Sequence, residues 1–131
     1  MLVDADNVSP RRLQPVLDLL SALAGGVELT ASGRRHALDA LDWPASSELL
    51  AHAGWQRADA ALAEAYSPAD VPLILVTGDG DFALLAARHP GPVLVVSGAP
   101  SGRLRDHARV VAPATEGTAP IASWLDVHGI N

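Results

Sequence analysis

The stretch that decides the fold is Pro72-Leu73-Ile74-Leu75-Val76-Thr77-Gly78-Asp79-Gly80-Asp81-Phe82. Pro72–Thr77 is a nearly continuous apolar run, which is typical of a strand buried on both faces of a parallel sheet. Gly78-Asp79-Gly80-Asp81 then places two carboxylates directly after that strand. The segment therefore predicts a central strand that presents acidic side chains at its carboxyl end.

Outward from this strand, short apolar runs alternate with longer helical patterns, which indicates βαβ units and a mainly parallel sheet. We expect an α/β domain built as a three-layer α/β/α sandwich, with the strand near residue 110 at one edge. The run from residue 48 is ambiguous between strand and helix and is assigned as strand. The predicted strands are Met1–Val3, Val27–Ala31, Glu48–Ala53, Pro72–Thr77, Pro92–Ser97 and Arg109–Ala112. The predicted helices are one from Ser9-Pro10 to Gly25-Gly26, and His36–Leu41, Gln56–Tyr66, Phe82–Arg88, Arg103–Ala108 and Ala119–Val127, with Trp124 expected to pack on the sheet.

Length and composition describe one globular domain over residues 1–131, with 49% hydrophobic and 18% charged residues. The chain has no cysteine, no signal-peptide pattern and no apolar run of membrane-spanning length, so we expect a soluble cytoplasmic protein without a membrane role. The first strand is short for a buried parallel strand, so either it is truncated or the native start lies upstream. The sequence leaves open a homo-oligomer or a protein partner.

A second acidic cluster, Asp4-Ala5-Asp6-Asn7, directly follows the first predicted strand. If the chain winds outward from strand one and then returns beside it, both clusters meet where the strand order reverses, which is where open α/β sheets bind ligands. Carboxylates brought together repel unless a cation neutralises them, and oxygen ligands favour Mg²⁺ or Mn²⁺. The plainer alternative is that these residues only cap helices and form turns.

Three motifs resemble those of NYN domains, a branch of the PIN-like nuclease superfamily. Leu2-Val3-Asp4-Ala5-Asp6-Asn7 is similar to the family's opening motif, and Val76-Thr77-Gly78-Asp79-Gly80-Asp81-Phe82 to its later one. Arg57-Ala58-Asp59-Ala60-Ala61-Leu62 resembles the helix start that carries the middle acid.

The resemblance implies a PIN-like fold and metal-dependent cleavage of RNA, in which a metal-activated water attacks the phosphodiester. It also implies the roles of individual residues. The metal centre and catalytic set would be Asp4, Asp59, Asp79 and Asp81, with Asn7 and Thr77 supporting the metal or the phosphate.

All nine basic residues are arginine, and the net charge of −6 argues against a broad basic surface for nucleic acid. Most arginines nevertheless follow predicted strand ends, so they should rim one face around the acidic centre, unless they are simply solvated residues at helix ends. We assign Arg11, Arg57 and Arg103 to substrate binding, together with Ser97, which ends its strand.

Two other functions fit parts of the sequence. Asp4–Val8 also matches the D-x-D-x-[TV] opening of haloacid-dehalogenase-like phosphatases, but those enzymes use a lysine and this chain has none. A PIN-like domain that binds RNA or regulates a partner without turnover is the non-enzymatic alternative. Metal binding without cleavage of any RNA would favour that alternative.

Overall fold

A six-stranded, all-parallel sheet forms the centre of the protein, as a computed structural model shows. The strand order is β3-β2-β1-β4-β5-β6, with helices on both faces, which confirms the predicted α/β sandwich. The structure describes residues 1–53 and 57–130, and for residues 57–59 it describes the backbone only. The start of the predicted helix at Gln56 lies outside this range.

The bounds of most elements agree with the predictions to within a few residues. The strands are β1 Leu2–Asp4, β2 Thr30–Gly33, β3 Glu48–Ala51, β4 Leu73–Val76, β5 Val93–Val96 and β6 Arg109–Val111. The helices are α1 Pro10–Ser21, α2 Arg35–Asp39, α3 Arg57–Ala65, α4 Ala83–Arg88, α5 Gly102–Arg105, α6 Pro113–Glu116 and α7 Ala119–Val127. Short 3₁₀ turns at Ala5–Asn7 and Gly80–Phe82 follow β1 and precede α4.

The second strand lies further along the chain than the predicted Val27–Ala31. It pairs with β1 in the register Leu2↔Thr30, Val3↔Ala31 and Asp4↔Ser32. Because β1 has only three residues, this pairing places β2 at Thr30–Gly33 and leaves Val27 and Glu28 in the preceding loop. The register therefore puts Ser32 beside Asp4.

Three helix predictions also need correction. Helix α1 ends at Ser21, because tighter turns follow directly, with the N–H of Leu23 bonded to the carbonyl of Leu20, before the chain reaches the glycines. Where the helix Arg103–Ala108 was predicted, regular helix covers only Gly102–Arg105. The N–H of His107 already donates to the carbonyl of Leu104 in a tighter turn. Helix α6 was not predicted, and its four residues follow directly after β6.

Alternate residues of the central strands face opposite sides of the sheet, as the two-residue period of a strand requires. Val3, Ile74 and Leu94 face the layer that contains α1 and α7, where Trp124 is buried as predicted. Leu2, Leu75 and Val95 instead face the layer of α3, α4 and α5. Both faces of β4 and β5 are therefore buried, which explains their continuous apolar sequences.

The parallel arrangement brings the carboxyl ends of all six strands to one edge of the sheet. Strand order reverses between β1 and β4, which are neighbours with Leu2↔Leu75 and Val3↔Val76 in register. The two acidic segments therefore emerge side by side at the reversal point. Within the described ranges, none of the helices is long and apolar enough to span a bilayer.

Candidate metal centre

Asp4 is the most deeply placed acid of the candidate centre. It ends β1, and the residue is fully buried. Its Oδ2 accepts hydrogen bonds from Asn7 Nδ2 at 2.5 Å and from Thr77 Oγ1 at 3.4 Å. Its Oδ1 is also buried, and no donor in the described ranges reaches it. Hydrogen bonds thus fix the side chain through Oδ2, while Oδ1 has no donor within the described ranges.

The surroundings of Asp4 disfavour its ionised form. Burial raises the pKa of the Asp4 carboxyl above its usual value, and the charges of Asp6 and Asp79 raise it further. The hydrogen bonds from Asn7 and Thr77 lower that pKa and so oppose the effect. A bound cation would favour the carboxylate, because its charge opposes both the desolvation and the repulsion.

Thr77 joins the ends of β1 and β4. Its hydroxyl donates to Asp4 and accepts the backbone N–H of Asp79 at 3.2 Å. The carboxylate of Asp79 in turn accepts the backbone N–H of Asp81 at 2.9 Å and so closes the turn after β4. These bonds connect the carboxylate of Asp4 to the backbone at Asp79 and fix the turn that carries the Asp79 carboxylate.

The turn after β4 depends on glycine because it lies against the loop after β5. A β-carbon at Gly78 would lie 2.9 Å from both the carbonyl oxygen of Ala99 and Oγ of Ser97. The backbone N–H of Ser101 also donates to the carbonyl of Gly78 at 3.1 Å. This close approach places Ser97, assigned to substrate binding, next to the acidic turn.

Ser32 is a residue of this region that the sequence analysis did not identify. It is fully buried, it is in register with Asp4, and no partner for its hydroxyl lies in the described ranges. Side chains of register partners in a parallel pair project from the same face of the sheet, so Ser32 lies beside Asp4. Only the correct bounds of β2 could have indicated it from the sequence.

Asp6 follows Asp4 and serves a structural role. Its Oδ1 accepts the backbone N–H of Arg34 at 2.9 Å, which joins the turn after β1 to the end of β2. Its Oδ2 lies 3.5 Å from Nε2 of His52, whose side chain is 10% exposed. The plainer interpretation of an acid after a strand, that it forms a turn, therefore describes Asp6.

The remaining predicted acids are Asp81 and Asp59. Asp81 is exposed and lines a groove between α3 and α4 with Ala60, Phe82 and Leu85. Asp59 belongs to α3, which packs on β1 and β2, but its side chain lies outside the described part of the chain.

The predicted substrate residues occupy different positions around the centre. Arg11 and Arg103 are both exposed, and the side chain of Arg103 lies beside the Gly80 turn, with Cδ 3.8 Å from the position of a β-carbon at Gly80. The backbone of Arg57 begins α3, and its side chain is among those outside the described range.

A cleft of about 520 Å³ opens beside the centre, between α1, α6 and the loops after β4 and β5. Its polar lining includes Asn7, Arg12, Asp79 and Ser97. Arg12 was not among the predicted substrate residues. Ser9, Arg12 and Leu13 share one face of α1, since residues three and four apart in a helix are neighbours, and this spacing could have identified it.

Asp4 and Asp79 are compatible with a hard divalent cation. Among the described side chains, no group of three or more His, Cys, Asp and Glu residues is arranged to hold a metal ion. Mg²⁺ commonly takes one or two carboxylates and keeps several waters, so two acids with the buried, unpartnered oxygen of Asp4 suit it.

Asp4 should make the stability of the metal-free protein depend on pH. The pKa of Asp4 is raised in the folded state, so folding favours its protonated form. Its contribution to the free energy of unfolding is therefore fully present below the unfolded-state pKa and is lost as pH rises through the folded-state pKa. Asp4→Asn should therefore raise the melting temperature by a few degrees at neutral pH and change it little in strong acid. Melts in EDTA across a pH series measure this difference, with exposed Asp126→Asn as the control. A difference in melting temperature between the wild type and Asp4→Asn that is the same at every pH would contradict this prediction.

Comparison with protein-family models, curated proteins and solved structures gives no significant match to this chain. The resemblance to NYN domains therefore depends on the motifs alone.

Proposed function

We propose that the protein is a metal-dependent ribonuclease that hydrolyses phosphodiester bonds at the edge of the sheet where β1 and β4 end. The observation that supports this most is the hydrogen-bonded connection from the buried carboxylate of Asp4 through Thr77 to the backbone N–H of Asp79, beside a cleft that also contains Arg12. The site thus combines carboxylates for a cation with a positive charge for a phosphate. RNA as the substrate comes from the resemblance to NYN domains.

Each residue of the site would have a distinct role. Asp4 and Asp79 would hold Mg²⁺ or Mn²⁺, with Asp59 and Asp81 as further acids that the resemblance implies. When bound, the cation would acidify a water and offset the charge of the phosphate. Asn7 and Thr77 orient the Asp4 carboxylate through their hydrogen bonds, so its free oxygen keeps one position. Such rigidity is required, because metal-assisted hydrolysis depends on precise placement.

A cleavage assay tests the proposal directly. Purified protein would be incubated with single-stranded RNA, structured RNA and matched DNA, each with Mn²⁺ and with EDTA. We expect Mn²⁺-dependent cleavage of the RNA. Cleavage that continues in EDTA would contradict the metal requirement.

Mn²⁺ should also stabilise the folded protein. A ligand present at about 100 times its dissociation constant adds about 2.7 kcal/mol to the free energy of unfolding, provided it binds only the native state. We expect millimolar-order Mn²⁺ to raise the melting temperature of the wild type and of Asp126→Asn, and to leave Asp4→Asn nearly unchanged. Equal shifts in all three proteins would place the ion elsewhere.

A non-catalytic RNA-binding module is the second candidate. It is favoured by the position of Asp81, which is exposed and lines the α3–α4 groove, whereas Asp79 lines the cleft beside α1. Under this alternative, Mn²⁺ would raise the melting temperature and RNA would bind, but no RNA would be cleaved.

A further inference from the structure

The cleft beside the candidate metal centre has walls of two kinds. Val8, Pro113 and Ala114 supply apolar surface, while Arg12 and Ser97 supply polar groups. Asp79 lines the same cleft, so the cleft is continuous with the acidic centre. Its volume of about 520 Å³ lies within the range of about 300–1,000 Å³ that small-molecule sites usually occupy.

Arg12 is positioned to bind an anion inside this cleft. Its Nη1 lies 3.6 Å from the position that a β-carbon at Gly98 would take, so the side chain reaches from α1 to the loop after β5. Within the described part of the chain, no carboxylate forms an ion pair with it. Guanidinium groups bind phosphate through paired, charge-assisted hydrogen bonds.

Ser97 lies between the acidic turn and Gly98 and supplies a second polar group to the cleft. Its Oγ accepts the backbone N–H of Ala99 at 3.2 Å, which leaves the hydroxyl hydrogen available to donate. Asp79 would repel a phosphate that approached without a cation. The cleft therefore separates into an acidic part at Asp79 and a part near Arg12 and Gly98 that suits an anion.

We propose that this cleft holds one unpaired nucleotide of the substrate strand, with its phosphate on Arg12 and Ser97 and its sugar or base against Val8 and Pro113. The inference rests on the proposed function and specifies its substrate as single-stranded. A nucleotide within a duplex is stacked and paired, whereas a nucleotide in an unpaired strand can turn outward into such a cleft.

Two exposed arginines provide a matched test. Arg12 and Arg109 have the same charge and are both exposed, but Arg109 begins β6 at the opposite edge of the sheet and only Arg12 lines the cleft. Fluorescence anisotropy with a labelled short oligouridylate, in EDTA so that no turnover occurs, would measure binding to both alanine variants.

Arg12→Ala should weaken binding about tenfold, the loss of one charge-assisted contact, and should reduce the salt dependence by about one unit of slope. Arg109→Ala should change the affinity by less than about twofold, because long-range attraction is screened. A further variant, Gly98→Leu, should obstruct the cleft and weaken binding while keeping every charge.

Equal losses in Arg109→Ala and Arg12→Ala would overturn the inference, and so would wild-type binding by Arg12→Ala. Competition by an RNA duplex as strong as that by the single strand would overturn it as well. Binding through Arg12 without Mn²⁺-dependent cleavage would support the nucleotide site and count against the nuclease. Metal-dependent cleavage that is unchanged in Arg12→Ala would support the nuclease and count against the nucleotide site.

Discussion

Asp79→Asn should lower Mn²⁺-dependent cleavage of single-stranded RNA by at least about 100-fold, the usual cost of losing one preorganised electrostatic contribution in an active site. Asp79 follows β4, a strand buried on both faces, and Thr77 fixes its backbone N–H. Its carboxylate is therefore held by a rigid part of the fold. Asparagine removes the charge that would hold the cation and preserves the size of the side chain.

The folded state should tolerate this substitution. The amide oxygen of asparagine can still accept the backbone N–H of Asp81, so the turn after β4 keeps its closing bond. The charge of Asp79 also contributes to the raised pKa of Asp4, so its removal relieves repulsion and stability should hold or rise.

Matched kinetics would separate the loss of charge at Asp79 from a general effect. Asp126→Asn, which removes a charge from the exposed face of α7, should cleave at the wild-type rate. Cleavage that survives both EDTA and Asp79→Asn would point to a contaminant. A folded protein that binds Mn²⁺ without cleaving RNA would favour the RNA-binding module.

Gly91→Ala should destabilise the protein by about 3 kcal/mol, the upper range for overpacking a well-packed site. The space that its β-carbon would need is already occupied by the carbonyl oxygen of Val71. That carbonyl cannot easily move away, because His89 Nε2 lies 2.6 Å from it and His89 Nδ1 is bonded to the hydroxyl of Tyr66 at 2.9 Å.

The neighbouring backbone also resists adjustment at Gly91. Leu73 donates to the carbonyl of Pro92 at 2.9 Å, which joins the starts of β4 and β5. Urea denaturation of the wild type and Gly91→Ala would measure the loss in the free energy of unfolding. Gly102→Ala is the control and should change stability by less than about 0.5 kcal/mol, since the structure describes no atom within 4 Å of the added methyl. A similar free energy in all three proteins would contradict the close approach of Gly91 and Val71.

The two central strands and their acidic ends could be predicted because the relevant signals are local. A run such as Leu73–Val76, apolar at every position, has to be buried on both faces, and the carboxylates that follow it have to lie at its carboxyl end. Trp124 could likewise be placed on the sheet from the apolar pattern of its helix. These conclusions require no knowledge of which strands are neighbours.

The position of β2 could not be predicted from local signals, since Val27 and Leu29 suit a strand as well as Ala31 does. Pairing with the short β1 decided its bounds and brought Ser32 beside Asp4. The separate roles of the acids could not be predicted from local signals either. In the sequence, each acidic cluster is simply a pair of aspartates that follows a strand: Asp4 and Asp6, and Asp79 and Asp81. Burial, hydrogen bonds and the path of each turn distinguish them, and these arise only when the chain is folded.

The sequence by itself thus determined the class of fold and the edge of the sheet where the candidate centre lies. Both follow from neighbours in the chain, namely the alternation of apolar strands with helices and the residues that come after each strand. Only the tertiary structure decided that Asp4 and Asp79 meet through Thr77, and that Arg12 and not Arg11 lines the cleft. The physical reason is that such contacts join residues far apart in the chain, and their geometry is determined by strand order, register and packing.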